Sequence, residues 1–425
     1  MITFGTLLLG LLVGVQPVTV LVSDETAAVE IWLDGERVER LEQPPWRFEV
    51  DLGESLVPHE LEAVAFDADG AELGRAVQRV NLLRQEAEAT IALDAVDGVP
   101  RQARLVWRTI DADPVTTVRV TLDGAPLEIV DPSRIPLPAL NLEEIHFLVA
   151  ELTFESGRSA RAEAVFGGLY GDEVSVELTA VPVLGDRRPT VAELAGRLHV
   201  RGEPVTPVGV DHGTREVFLV VAADASSTLT HMARAAAGLN LQTRHSGWMN
   251  DDSLSLLTGT FEVDESAGTD VFEVLRIAFP TSIRPLKTFL AILGANTHGI
   301  QKRKQRLLDA AAMGGLLAEG RQRPRLVVLV VDGTPKGRSR FEVDTVRTYL
   351  ETLRVPLVVW NVGRVLPRGF SDVVLVDTPV RVEEEIRSLR DRLDRQTIVW
   401  LEGRHLPQDI TLVDPPPGIQ LLGER

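Results

Sequence analysis

Five residues carry side chains that could act together. Asp224, Ser226 and Thr228 follow one another at alternate positions directly after the apolar run 217–223, and Asp332 follows the similar run 326–331. Thr297 lies between them, in the glycine-flanked turn Gly294-Ala-Asn-Thr-His-Gly299. Two carboxylates and three hydroxyls form an all-oxygen donor set, the kind a small hard dication such as Mg2+ or Mn2+ prefers. The set holds no nucleophile and no proton shuttle. The chemistry it implies is binding rather than bond cleavage.

The elements that would position these residues read as strands and helices in alternation. An uninterrupted apolar run is what a strand buried on both faces of a parallel sheet requires. Ligands of open α/β sheets sit beyond the carboxyl ends of such strands, where Asp224 and Asp332 fall. After the first strand, 229–239 reads as a helix, 253–263 and 271–279 as strands, and 286–293 as a helix. The clearest helix covers 301–319, with Leu307, Leu308, Ala311 and Leu316 on its apolar side. Strand 326–331, helix 343–353 and strand 355–361 complete an α/β doubly wound, Rossmann-like domain over 211–365. The remainder, 366–425, reads as a C-terminal extension with a strand at 372–376, a charged helix at 382–393 and a strand at 397–401.

The N-terminal half has a different texture. Short alternating runs are punctuated by Asp34-Gly35, Asp69-Gly70, Asp123-Gly124 and Ser156-Gly157, which is hairpin chemistry. The stretch beginning Val29-Glu-Ile-Trp-Leu-Asp-Gly recurs as Val118-Arg-Val-Thr-Leu-Asp-Gly, and His59 to Gly70 recurs as His146 to Gly157 at nearly the same displacement. Two matches in register argue for two copies of one all-β unit, most economically immunoglobulin-like sandwiches over 17–83 and 84–170. Residues 171–210 read as a β lead-in to the α/β domain.

A chain of 425 residues exceeds one ordinary core. Its 44 basic and 62 acidic residues give a net charge of −18, which argues against nucleic acid and anionic membrane surfaces as partners. The absence of cysteine removes disulfides, thiolate metal sites and cysteine nucleophiles. Residues 1–16 are apolar and too short to span a bilayer; they read as a signal segment of an exported or envelope protein, with a first buried strand as the alternative. No other stretch suits a membrane span.

Asp224-x-Ser226-x-Thr228, the loop Thr297 and Asp332-Gly333 resemble the metal-ion-dependent adhesion site of von Willebrand factor type A (VWA) domains. Val355-Pro-Leu-Val-Val-Trp-Asn361 resembles the next strand of that family, and the chain as a whole resembles bacterial VWA-related proteins of the acidobacterial sort that join β modules to such a domain. The resemblance implies a Mg2+ or Mn2+ held by Asp224, Ser226, Thr228, Thr297 and Asp332, with an open position for a partner's carboxylate. It departs at Thr228, where serine is usual, at Val331, where threonine is usual, and at Ala295-Asn296, where glycines are usual. A degenerate site, with Asp224 as a helix cap, therefore stands beside a working one.

Other features point elsewhere or nowhere. Gln301-Lys-Arg-Lys-Gln-Arg306 reads as a solvated basic helix face, and His245 and His298 stand alone without ligand spacing. No Walker loop, nucleophile elbow or dinucleotide glycine pattern occurs. The expectation is a non-enzymatic protein-binding role, adhesive or scaffolding, through the metal site. Two alternatives are a metal-independent scaffold and, last, a metal-assisted hydrolase needing a base such as His298.

Overall fold

The computed structural model describes residues 2–423 apart from 84–86, 97–98, 110–113, 156–158, 168–177, 212–213, 239–245, 250–251, 265–268, 279–284, 297–304, 336, 338 and 371. Thr297, His298, His245, the Ser156-Gly157 turn and positions 301–304 of the basic cluster thus lie outside the described residues.

The first module is a β sandwich. Its strands are β1 (Ile2–Phe4), β2 (Val15–Val22), β3 (Ala28–Leu33), β4 (Glu36–Leu41), β5 (Arg47–Asp51), β6 (His59–Phe66) and β7 (Glu72–Val80). One sheet runs β1-β2-β5 and the other β4-β3-β6-β7. Alternation sends Val18, Val20, Val29, Ile31, Phe48, Val50, Leu61 and Ala63 into the core between them. The N-terminal run contributes to this core, as the buried-strand alternative expects. Ile2 pairs with Val22 and Phe4 with Val20, and Ile2, Phe4 and Leu8 are buried. The same short apolar stretch satisfies either reading by composition, and here it finds a strand partner.

The second module repeats the first. It comprises β8 (Ala87–Val96), β9 (Val99–Thr109), β10 (Val115–Leu122), β11 (Ala125–Leu127), β12 (Ile135–Pro136), β13 (Ile145–Phe154) and β14 (Ser159–Gly167). Its sheets run β12-β9-β8 and β11-β10-β13-β14, the latter in the order of β4-β3-β6-β7. The two Asp-Gly turns are built alike, with Asp34 and Asp123 at φ 53° and 51° followed by glycines at 85° and 80°. Asp34 accepts from His59 Nδ1 at 2.7 Å and from the Glu60 amide at 2.8 Å; Asp123 accepts from His146 Nδ1 and the Phe147 amide, each at 2.8 Å. The residues matched in sequence are therefore equivalent in space.

A third β unit joins what the sequence separates into a lead-in and an extension. From the first side come β15 (Leu178–Gly185), the short helix α1 (Val191–Leu194), β16 (Leu198–Val200), β17 (Glu203–Pro204) and β18 (Pro207–Asp211).

The α/β domain follows as β19 (Arg215–Val221), α2 (Ser226–Gly238), β20 (Asp252–Asp264), β21 (Thr269–Ala278), α3 (Leu286–Asn296), α4 (Leu307–Glu319), β22 (Arg325–Val331), α5 (Val343–Thr352), β23 (Leu357–Asn361), β24 (Val373–Leu375) and α6 (Pro379–Asp394). The chain then returns to the third unit as β25 (Gln396–Glu402), β26 (Ile410–Leu412) and β27 (Ile419–Leu421). Its sheets run β18-β25-β15-β27 and β17-β16-β26. Strands from the two sides alternate in the first and share the second, so the α/β domain is inserted between β18 and β25, which pair antiparallel.

Residues 366–394 belong to that inserted domain and not to a tail. β24 pairs with β23, and α6 buries Val382, Ile386, Leu389 and Leu393 against the sheet. The sheet runs β21-β20-β19-β22-β23-β24, parallel except for the antiparallel edge strand β21. Alternate residues divide between its faces. Val217, Leu219 and Val221 pack beneath α2, α3 and α6, while Phe218 and Val220 pack beneath α4 and α5. α4 begins at Leu307, later than its periodicity predicts, because Arg306 takes the non-helical φ −107°, ψ 74° and the Gln305 side chain is engaged elsewhere.

The units are joined by specific contacts. Tyr349 of α5 donates to the Asn81 carbonyl at 2.8 Å, and Leu56 of module 1 lies in the α4–α5 core. Phe147 and Val149 of module 2 pack with Val208, Ile398 and Trp400 of the third unit. Beside them the buried Arg161 meets Glu151 at 2.8 Å, Glu163 at 2.7 Å and Asp211 at 2.8 Å, with its guanidinium 4.6 Å from the Trp400 ring centre.

Candidate functional site

The sheet order places a switch point between β19 and β22: the chain leaves β19 toward one edge and β22 toward the other. A crevice opens beyond the carboxyl ends of two such strands. The strands run in register there, Val221 beside Val330, and the Ala222 amide extends the pairing with a 2.8 Å bond to the Val330 carbonyl. Asp224 and Asp332 come directly after.

Asp224 sits half-buried in a 3-10 turn, Ala223–Ala225, that runs into α2. The residue before that turn is Ala222, which makes no side-chain cap bond, so Asp224 lies inside the helical start and not at the position expected of a cap. Thr228, in the first turn of α2, donates its hydroxyl to Asp332 Oδ2 at 2.6 Å. Ser226 is buried and donates to the Gly294 carbonyl at 2.7 Å, which ties α2 to the end of α3. Thr228 and Asp332 are thus brought into contact, whereas the Ser226 proton is committed to the packing of two helices.

Residues not anticipated from the sequence hold this arrangement. Gln305 is buried, accepts from the Ala223 amide and donates to the Val221 carbonyl, both at 2.8 Å, so it closes the open end of β19. Asn361, fully buried at the end of β23, accepts from the Gly333 amide at 3.0 Å and donates to the carbonyls of Gly363 at 2.9 Å and Val365 at 3.0 Å. A polar residue closing a buried apolar strand was the available signal for Asn361; Gln305 was hidden in a basic run. Gly363 is needed for space, since a Cβ there would stand 1.8 Å from Asp332 Oδ1.

The segment leaving Asp332 is anchored to α4. Asp309 accepts from the Arg340 amide at 2.9 Å and the Phe341 amide at 3.2 Å, and the Leu308 amide donates to Ser339 Oγ at 2.9 Å. Burial pushes the Asp309 carboxyl up from its ordinary range, against the opposing effect of these amides and of Arg306 and Arg340.

Among the described residues no three His, Asp or Glu side chains converge as a metal cage. Cation binding at the switch point therefore needs the hydroxyls. Thr228 fits that need: a hydroxyl that gives its proton to Asp332 keeps oxygen lone pairs for an ion. Asp224, Thr228 and Asp332 supply oxygen donors only, which suits a hard dication. Ser226 could contribute a lone pair on the same terms.

No family model matches the chain, and no curated protein matches it. Solved structures that are similar include fibronectin(III)-like modules of Clostridium thermocellum CbhA, at 20% identity over 19% of this chain and 93% of that one, with a TM-score of 0.17. A central fibronectin-III array of RIM-binding protein matches at 11% identity over 45% of this chain and 80% of that one, TM-score 0.21. A 1.5-MDa bacterial ice-binding adhesin, in a structure concerned with host cell surface retention, matches at 13% identity over 62% and 89%, TM-score 0.16. At these TM-scores the similarities carry no argument about what this chain does.

Proposed function

We propose that the chain is a non-enzymatic protein-interaction or scaffold protein whose inserted α/β domain is VWA-like and binds its partner at the β19–β22 switch point. An exported or envelope-associated setting belongs to the same proposal. The observation that carries it is the Thr228–Asp332 hydrogen bond beyond two adjacent central strands, with Asp224 on the neighbouring turn. Asp224, Ser226, Thr228 and Asp332 would hold Mg2+ or Mn2+, with Thr297 as a fifth candidate. A bound cation of this kind supplies an open coordination position for a partner's carboxylate.

The test is the thermal midpoint of the full chain in EDTA and in millimolar Mg2+ or Mn2+, for wild type and Asp224→Ala. A ligand of the folded state raises the midpoint by mass action. A shift in wild type that is lost in the variant is expected. No shift in either protein would sink the metal reading.

One observation favours a second reading, a metal-independent scaffold. The Ser226 and Thr228 protons are both used inside the domain, as a self-contained structural end to the strands would require. Partner binding unaffected by chelator would decide for it.

A further inference from the structure

We propose that loop 363–368 is the second half of the partner-binding surface and selects an apolar side chain next to the partner's acidic residue. The proposal rests on the carboxylate-accepting reading above. The loop is fixed against the site at several points. Asn361 holds the Val365 carbonyl at 3.0 Å, the Arg368 amide donates to Thr334 Oγ1 at 3.0 Å, and Gly363 lies against the Asp332 carboxylate. Val365 is close to the turn after Asp332, since a Cβ on Gly333 would stand 3.8 Å from the Cβ of Val365.

A loop held this firmly nevertheless displays apolar surface. Val365 is 71% exposed and Leu366 62%, the most exposed large apolar side chains described in the α/β domain. Exposed Arg364 and Arg368 bracket them, on a chain whose net charge is −18. Local positive charge on a negative protein steers an acidic partner, and an exposed apolar pair beside it offers the contact that fixes register. The occupant that fits is an acidic segment with a large apolar side chain adjacent to the aspartate or glutamate that enters the site.

The test is fluorescence anisotropy on the full chain in millimolar Mg2+ with three synthetic heptapeptides. One has a central aspartate flanked by leucines and then glutamates, the second has serines for the leucines, and the third has asparagine for the aspartate. Wild type is expected to bind the leucine peptide about tenfold or more tightly than the serine peptide. Val365→Ser with Leu366→Ser should erase that preference while leaving the serine peptide and the thermal midpoint unchanged. Replacing Arg364 and Arg368 by serine should weaken both acidic peptides and flatten their salt dependence. Equal wild-type affinity for the leucine and serine peptides overturns the loop proposal and leaves the carboxylate reading standing. Undiminished binding of the asparagine peptide, with the leucine preference intact, overturns the carboxylate reading and upholds the loop. No binding of any peptide overturns both.

Discussion

Arg215 and Asp394, the residues at the two ends of the inserted domain, are joined: Arg215 Nε donates to Asp394 Oδ1 at 2.7 Å. The same guanidinium reaches Asp252 Oδ1 at 3.1 Å, and Arg390 of α6 reaches Asp252 Oδ2 at 3.1 Å. The Asp252 side chain is fully buried, whereas that of Asp394 is 43% exposed. Removing Asp394 costs under about 1 kcal/mol, the range of exposed pairs. Asp252→Ala leaves two cations facing a buried gap and costs about 3–5 kcal/mol. Urea unfolding of the two variants measures the contrast, and equal losses would refute it.

Gly363→Ala tests how closely the site is built. The added methyl must displace the Asp332 carboxylate and with it the bond from Thr228. Overpacking of this kind costs about 1–3 kcal/mol. The expected result is a lower thermal midpoint and the loss of any Mg2+-dependent shift, read in the same melts.

Arg161 stands among three acids, Glu151, Glu163 and Asp211. Burial pushes the Glu163 carboxyl above its ordinary 4.5; Arg161 opposes this, while Glu151 and Asp211 add to it. With the folded value raised, the unfolded chain ionises first, so this group's contribution to stability is full below about 4.5 and is lost as pH rises toward the folded value. Glu163→Gln keeps an acceptor for Arg161 and leaves it Glu151 and Asp211. The variant is expected to be more stable than wild type at neutral pH and to show a flatter rise in stability on acidification toward pH 4.5. Denaturant unfolding at a series of pH values checks both.

The duplicated turn clasps make a paired prediction. Asp34→Ala and Asp123→Ala each remove one bond to a histidine and one to a backbone amide. Each is expected to cost about 2–3 kcal/mol, with similar values in the two modules. A large effect in one and none in the other would mean that the repeat is geometric but not energetic.

Much of this arrangement was readable, for specific reasons. The runs 217–223 and 326–331 are so uniformly apolar that only central strands accommodate them, and the acids at their ends then fall at one crevice. The Asp-Gly turns announced the repeat because few residue pairs tolerate positive φ in succession. What escaped were pairings at long range. Nothing in Leu178–Gly185 says that its partner is Gln396–Glu402, because short alternating strands carry a facing pattern but no address. For the same reason residues 171–210 and 366–425 looked like separate ends. The Ser226 hydroxyl shows a limit of another kind: its spacing places it at the site, but its bond to the Gly294 carbonyl is a long-range contact that spacing does not encode.

The insertion has a mechanical consequence. A domain strung on one linker can swivel about it, and a pull on either neighbour simply straightens the tether. Here both ends of the domain leave from β18 and β25, antiparallel neighbours hydrogen-bonded along their length, with Arg215 and Asp394 fastened across the exit. Load passing from the α/β domain into the third unit would enter through a two-stranded root that resists torsion, while Tyr349 and Leu56 tie the same domain to module 1, so the site would hold its aim relative to the rest of the chain under tension.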